Sequence, residues 1–356
     1  MQDIKFVERK ELKKKPAPGQ PLGFGDIFTD YMFLMDYTKG KGWHDARIVP
    51  YGPIELDPAA MVLHYSQEIF EGLKAYRTKE GKIQLFRPRE NFKRLNESGK
   101  RLSIPPLDEA LALRALKELV ELEKDWVPGE PDTSLYIRPF IFTTDAHLGV
   151  RPGNEYLFMI ILSPVGAYYE EGLNPVKIYI EPNYVRTVRG GTGTAKTGGN
   201  YAASLNAQVE AHDQNYSQVL WLDGVERKYV EEVGSMNVFF VIGGEVITPK
   251  LSGSILAGIT RKSAMEMLTR EGYKVVERAL SIDEIIASGK DGSLKEAFGT
   301  GTAAVISPIG YLKYGDMAFE INRSQIGPIS QMLYDKLTGM QYGKLPDTYG
   351  WIEPVC

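Results

Sequence analysis

Hydrophobic positions along the chain follow two periods, and each predicts an element. Segments rich in β-branched and aromatic residues at 31–35, 82–86, 135–143 and 156–163 predict strands. Leu111, Ala115, Leu119, Leu122 and Trp126 recur at steps of four, four, three and four. That spacing lines one face of a helix, which Pro128-Gly129 ends. Residues 89–102 predict a second helix, charged and on the surface. From 168 to 184 the pattern breaks into turn formers, Glu170-Glu171-Gly172, Asn174-Pro175 and Pro182-Asn183. The expected organisation is therefore a first domain over 1–170, an interdomain loop over 171–184 and a second domain over 185–356.

The second half opens on Gly190-Gly191-Thr192-Gly193-Thr194-Ala195-Lys196-Thr197-Gly198-Gly199-Asn200, followed by a helix to about residue 214 on Ala202, Leu205 and Val209. Strands are predicted at 219–222 and across a hairpin over 237–248 whose turn is Gly243-Gly244. A helix should open at Ile259 and stop at Gly272, a strand should follow at 274–279, and a helix at 325–337 should close the fold. No internal repeat is present. The mixture predicts an α+β fold in two domains.

The chain has 356 residues, with 42 Lys plus Arg against 46 Asp plus Glu, a net charge of −4. Such a balance gives little attraction to phosphate backbones or anionic membranes, so neither nucleic acid nor membrane is an expected partner. The longest apolar runs, 157–162 and 238–242, are far shorter than the roughly 20 residues of a spanning helix and read as buried strands. The first fifteen residues mix Lys10, Lys13, Lys14 and Lys15 with Asp3, Glu8 and Glu11 and read as a solvated tail. Cys356 is the sole cysteine, which excludes an intrachain disulfide and a cysteine zinc site and suggests a reducing, cytoplasmic setting.

Several motifs fail on context. A phosphate loop starting at Gly190 would need glycine where Ala195 stands, and 185–189 is a poor buried strand. Gly299-Thr300-Gly301-Thr302-Ala303-Ala304 imitates a dinucleotide fingerprint, but Val305-Ile306-Ser307-Pro308 cannot continue as the required helix. His44, His64, His147 and His212 stand far apart without metal-ligand spacing, and no Gly-x-Ser-x-Gly occurs. What remains is Lys196 among glycines, with Tyr201 just beyond. A desolvated lysine in such a loop can form a Schiff base with a planar aldehyde such as pyridoxal phosphate. The same pattern also fits a flexible surface loop.

The chain resembles the branched-chain amino-acid aminotransferases among the fold type IV pyridoxal-phosphate enzymes (the D-amino acid aminotransferase-like fold), in their longer subgroup. The resemblance runs nearly end to end. It rests on Leu22-Gly23-Phe24-Gly25 with Phe28-Thr29-Asp30, Leu63-His64-Tyr65-Ser66 through Phe70-Glu71-Gly72-Leu73-Lys74-Ala75, Lys124-Asp125-Trp126-Val127-Pro128 and Tyr136-Ile137-Arg138-Pro139. Pro164-Val165-Gly166-Ala167-Tyr168, Lys196-Thr197-Gly198-Gly199-Asn200-Tyr201 and Glu232-Val233-Gly234-Ser235-Met236-Asn237 extend it.

The resemblance implies that Lys196 is the Schiff-base lysine and the acid and base of the reaction, and that Tyr201 hydrogen-bonds the cofactor's phenolic oxygen. Glu232 would face the pyridine nitrogen, which must stay protonated to draw off electrons. Its neighbour Glu231 is expected on the opposite face of an extended segment, exposed to solvent. Arg94, the amides of Ile259 and Thr260, and the Thr302 hydroxyl would take the phosphate; the predicted helix start at Ile259 suits an anion on its own account. Arg87 and Arg89 lie close to Arg94, and only the resemblance prefers the latter. For the substrate, the matching residues are Phe24, Tyr65, Phe70, Tyr136 and Tyr168, with Val150 from a neighbouring subunit, Arg138 for the second carboxylate of glutamate, and the amides of Thr302 and Ala303 for the α-carboxylate. The implied activity is transamination between leucine, isoleucine or valine and 2-oxoglutarate, giving glutamate, in a homodimer. The nearest competitors are a D-amino-acid aminotransferase and an aminodeoxychorismate lyase of the same fold; a nucleotide-binding phosphotransferase is the rival from another class. Some members carry Cys-x-x-Cys after the Gly-Thr-Ala turn, but Ala304 and Ser307 stand there in this chain.

Overall fold

A computed structural model describes residues 3–167 and 172–356. The chain divides into two compact units, one of Met1–Tyr168, Ala195–Gly198 and Gly339–Cys356, the other of Tyr169–Thr194 and Gly199–Thr338.

The first unit is built on a nine-stranded sheet. Its strands are β1 (Lys5–Phe6), β2 (Tyr31–Thr38), β3 (Gly42–Pro50), β4 (Glu68–Phe70), β5 (Leu73–Arg77), β6 (Ile83–Phe86), β7 (Ser134–Thr143), β8 (Glu155–Val165) and the C-terminal Ile352–Pro354. They lie in the order β1-β3-β2-β8-β7-β5-β6 and then the C-terminal strand, with β4 also paired to β7. The short helix α1 (Met61–Tyr65) precedes β4. Ile69, Leu73, Ala75, Leu85, Leu135, Ile137, Ile141, Phe158 and Ile160 form one core with residues of α2 (Pro88–Arg101) and α3 (Glu109–Leu122). Side chains alternate across a strand, so Phe70, Tyr136, Arg138 and Phe140 belong to the opposite face.

Helix α2 corrects the expectation of a surface helix, because Asn91, Phe92, Arg94, Leu95, Ser98 and Gly99 are buried. In α3 the buried stripe runs through Ala112, Ala115, Leu116 and Leu119, while Leu122 is 43% exposed and Trp126 sits in a separate 3-10 turn, Lys124–Trp126. The expected face was one position out of phase at its end, because the helix stops before Trp126.

The amino-terminal segment is bound to this unit. The Lys13 amide donates to Asp30 Oδ1 at 2.6 Å, and Trp126 Nε1 donates to Asp30 Oδ2 at 2.8 Å. Lys13 Nζ donates to the Phe28 and Thr29 carbonyls at 3.1 and 2.8 Å. Beside them Glu123 accepts the Tyr31 amide, and burial pushes its carboxyl up from 4.5 to about 7. The folded protein therefore holds this proton more tightly than the unfolded chain. The stability it contributes is complete below about pH 4.5 and is lost as pH rises through about 7, at most roughly 3 kcal/mol. Replacing Glu123 with Gln, which retains an acceptor, should flatten the fall in unfolding free energy between pH 5 and 8. Urea denaturation at the two pH values tests this, and an unchanged pH dependence would refute it.

In the second unit the strands are β9 (Val176–Ile180), β10 (Gln218–Leu222), β11 (Val230–Val233), β12 (Met236–Ile242), β13 (Glu245–Pro249), β14 (Lys274–Arg278), β15 (Leu294–Gly301), β16 (Val305–Tyr314) and β17 (Met317–Glu320). Six of them, β11-β10-β9-β16-β15-β12, form a closed ring, because β11 also pairs with β12. Alternate residues such as Ile178, Ile180, Leu220, Leu222, Val238 and Phe240 share one core. The turn between β12 and β13 uses Gly243 and Gly244 at φ 58° and 85°, where glycine has no Cβ penalty.

Three expectations change here. Strand β9 lies inside the stretch read as an interdomain loop, since Asn174-Pro175 and Pro182-Asn183 bracket a strand. The helix expected to about residue 214 is broken into α4 (Gly198–Ala202) and α5 (Leu205–Asp213). In α5 the buried residues are Ala207 and Ala211, whereas Leu205 and Val209 are 60% and 57% exposed. The helices α6 (Ile259–Arg270) and α7 (Ile282–Asp291) follow, α6 starting at the expected residue and followed by Gly272 at φ 83°. The last helix, α8, covers Pro328–Gln341, three residues later than expected because Pro328 is a natural first-turn residue. Among the described residues no helix is long and apolar enough to cross a membrane.

Candidate functional site

In the first unit, β4 grips the lysine loop. The Phe70 amide donates to the Lys196 carbonyl at 3.0 Å, and the Thr197 hydroxyl donates to the Glu68 carbonyl at 2.7 Å. The Gly198 amide donates to Glu68 Oε1, and the Lys196 amide donates to Ser98 Oγ, from α2, at 2.9 Å. The Lys196 ammonium, half-buried, stands 4.7 Å from the centre of the Phe70 ring.

Arg138 shares that ring. Its Cζ lies 4.7 Å from the Phe70 centre and 5.4 Å from that of Tyr136, and its Nη2 donates to the Tyr136 hydroxyl at 3.1 Å. Among the described residues no carboxylate pairs with Arg138, and its buried Nε has no partner. Phe24 packs edge-on against Tyr136 at 5.0 Å. A Cβ at position 72 would stand 2.2 Å from the Tyr136 hydroxyl, so Gly72 makes room for it. Phe24, Phe70, Tyr136, Arg138 and Lys196 are thus linked through shared ring contacts. Tyr65 is placed otherwise: half-exposed, it donates its hydroxyl to the Leu148 carbonyl, next to the surface segment on which Val150 is 83% exposed. Tyr168 lies outside the described residues.

Arg94 is held by a residue to which the sequence reading gave no role. Its Nε and Nη2 donate to the two oxygens of Glu71 at 2.7 and 2.8 Å, and Asn91 Nδ2 adds a third bond to Glu71 at 2.8 Å. Glu71 is completely buried. The same geometry separates Arg94 from its neighbours, since Arg87 lies over the Trp351 ring and Arg89 pairs with Glu353 at the surface.

In the second unit Glu232, on β11, is buried and pinned from three sides. Arg186 Nε lies 2.7 Å from Oε2, while the Leu256 amide and Asn237 Nδ2 donate to Oε1 at 2.9 and 3.3 Å. A carboxylate so paired is held in one orientation. Arg186, a second residue missed because 185–189 reads as an undistinguished segment, also donates to the Gly193 and Ser254 carbonyls at 3.2 and 3.0 Å. Gly193 is required there, because a Cβ would stand 2.2 Å from the Ser254 carbonyl oxygen. Asn200 Nδ2 donates to the Thr192 carbonyl at 2.9 Å, which closes the glycine-rich turn ahead of Tyr201.

Glu231 contradicts the expectation of an exposed side chain. It is buried, accepts the Ser254 hydroxyl, and burial pushes its carboxyl up. Both faces of β11 are covered at this point, so alternation separates the two glutamates without exposing either. Helix α6 begins at Ile259 after Gly258, with no side-chain cap and no acidic residue in its first turn. Its first N–H groups and positive end suit an anion. Thr302 and Ala303 lie in the tight turn between β15 and β16, which continues as a strand and so removes the dinucleotide reading.

The family model for class IV amino-transferases matches residues 68–311, and the chain belongs to that family. Within it, the chain is 56% identical over 355 residues to branched-chain-amino-acid aminotransferase 2 of Bacillus subtilis, covering 100% of this chain and 98% of the relative. It is 48% identical over 351 residues to the branched-chain-amino-acid aminotransferase of Mycobacterium tuberculosis, covering 97% and 94%. Its fold is similar to that of the branched-chain amino acid aminotransferase of Escherichia coli, with a TM-score of 0.78, 27% identity, and coverage of 92% of this chain and 99% of the other. The branched-chain amino acid aminotransferase of T.th. complexed with N-(5'-phosphopyridoxyl)-L-glutamate has a TM-score of 0.76 at 27% identity, covering 91% and 98%. The fold type IV architecture is the one the resemblance implied.

Proposed function

We propose that the protein is a pyridoxal-phosphate-dependent aminotransferase that moves an amino group between leucine, isoleucine or valine and 2-oxoglutarate. The observation that carries this reading is the pairing of an amine and a guanidinium, Lys196 and Arg138, on one aromatic ring, the guanidinium making no direct ion pair among the described residues. An aromatic surface suits a branched hydrocarbon, and a half-buried cation suits the second carboxylate of glutamate. One sheet face thus offers both chemistries that the two substrates require.

The donor set that the resemblance implies is chemically suited to the cofactor. Lys196 would hold its aldehyde carbon, Tyr201 its phenolic oxygen and Glu232 its ring nitrogen. Arg94, Thr302 and the amides of Ile259 and Thr260 would hold the phosphate. When bound, pyridoxal phosphate supplies an imine-forming aldehyde and a ring that accepts electrons from the substrate Cα. Lys196 Nζ takes the proton from that Cα and later returns it, acting first as base and then as acid. The β4 contacts to residues 196–198 hold the amine's backbone in register for this transfer. Glu232 keeps a proton on the ring nitrogen, and Arg186 in turn holds Glu232 in place. Amides of Thr302 and Ala303 orient the α-carboxylate.

Tyr65 and the Leu148–Val150 segment are connected to each other at an exposed surface, which supports a homodimer in which they enter the neighbour's side-chain pocket together. Tyr168 belongs to the proposed pocket through the resemblance alone.

Steady-state transamination with 2-oxoglutarate as acceptor tests the reading. L-leucine, L-isoleucine and L-valine should turn over, and D-alanine should not. Turnover of D-alanine with no turnover of L-leucine would replace it with a D-amino-acid aminotransferase.

A further inference from the structure

Glu68 is a carboxylate inside this constellation that the reaction as described does not use. It lies two residues before Phe70 on β4, and so on the same sheet face. Oε1 accepts the Gly198 amide, whereas Oε2 has no hydrogen-bond partner among the described residues. The position is built for it: a Cβ at residue 198 would stand 2.3 Å from Oε1, so glycine leaves the carboxylate its place. Among the described residues, Arg138 from β7 and Lys196 from the loop, both at the neighbouring Phe70 ring, are cations that favour its charged form. Helix α2 contributes the neutral Ser98 hydroxyl to the same loop, and β7 contributes the Tyr136 phenol to Arg138.

An apolar side chain packed beside Arg138 would leave a desolvated cation, which is costly unless a negative charge lies near. A side chain ending in a carboxylate creates the opposite problem, a second anion beside Glu68. We propose that Glu68 is a specificity-determining residue: ionised, it offsets Arg138 when an apolar side chain is bound, and on binding of a dicarboxylate it takes one proton from solvent. In both complexes the net charge at Arg138 is then close to zero. Burial already pushes the Glu68 carboxyl up, which brings its protonation within reach of a nearby anion. The inference rests on the substrate assignment made above.

Calorimetric titration of the cofactor-loaded protein with two unreactive acids, glutarate and 4-methylvalerate, tests it at several pH values and in buffers of different ionisation heat. Glutarate should bind with uptake of up to one proton and weaken by up to about tenfold per pH unit above the Glu68 pKa, while 4-methylvalerate shows neither effect. The Glu68→Gln variant keeps an acceptor for Gly198; it should bind glutarate on the order of tenfold more tightly, without proton uptake. Equal proton uptake for both acids in the wild type would overturn the inference. So would an equal loss of affinity for both acids in Glu68→Gln, which would mark a prop for the loop. If Glu68→Gln does not fold, the wild-type proton counts decide alone. Failure of the wild type to bind either acid would overturn the proposed function, and this role with it.

Discussion

Lys196→Ala should lower transamination by at least about 10³-fold and abolish the imine absorbance of the cofactor-loaded protein, with little change in stability. The two expectations come from different atoms. The fold uses the backbone of residue 196, through the Phe70 amide at 3.0 Å and the Ser98 hydroxyl at 2.9 Å, and alanine keeps both bonds. The side chain adds its approach to the Phe70 ring, worth about 0.5–1 kcal/mol at a partly exposed site. Chemistry, in contrast, loses both the covalent anchor and the proton carrier, and a positioned acid and base alone contributes about 10²–10⁴-fold. Absorbance of the loaded variant, its turnover and its thermal midpoint can be measured on one preparation. A normal spectrum with full turnover would refute the assignment of Lys196.

The largest effect on stability should come from Glu71. Removing one partner of a buried ion pair strands the other, at a cost of about 3–5 kcal/mol, whereas replacing both with apolar groups of similar size is often neutral. Glu71 is fully buried and accepts the Nε–Nη2 edge of Arg94 along with Asn91. Glu71→Ala should therefore destabilise the cofactor-free protein by about 3–5 kcal/mol. The double variant Glu71→Leu with Arg94→Met should recover most of that loss. If Arg94 takes the cofactor phosphate, the recovered variant should still bind pyridoxal phosphate more weakly, since an Arg–phosphate contact is a charge-assisted bond. Urea unfolding and equilibrium binding separate the two roles. A double variant that binds the cofactor with unchanged affinity would remove Arg94 from the phosphate site.

Much of this architecture was legible in the order of residues. Alternating and four-step patterns located the strands around 31–38, 134–143 and 155–165, the hairpin at Gly243-Gly244 and the start of α6 at Ile259. These are local properties, in which the side-chain period and the turn chemistry reside within a few consecutive residues. The motifs around Lys196, Arg138 and Glu232 likewise carry the resemblance from which the proposed chemistry comes.

Elsewhere the pattern named a helix without saying which side would be covered. Leu205 and Val209 keep the expected spacing but face outward, and Ala207 and Ala211 pack beneath them. Periodicity defines a face, but only the neighbouring element decides whether that face is buried. The same limit hid Glu71, Arg186 and Glu68. Each acts through a partner far along the chain, Glu71 with Arg94, Arg186 with Glu232 and Glu68 with Gly198. A lone charged residue carries no mark of its future counter-ion, and burial of Glu231 beside Glu232 had no local signal either. The sequence by itself located several strands, the Gly243-Gly244 turn and the start of α6, and singled out Lys196 as the candidate amine. Only the tertiary structure decided which charges meet, because strand order brings distant segments to one face, and the cost of burying a charge is settled by whatever that face supplies.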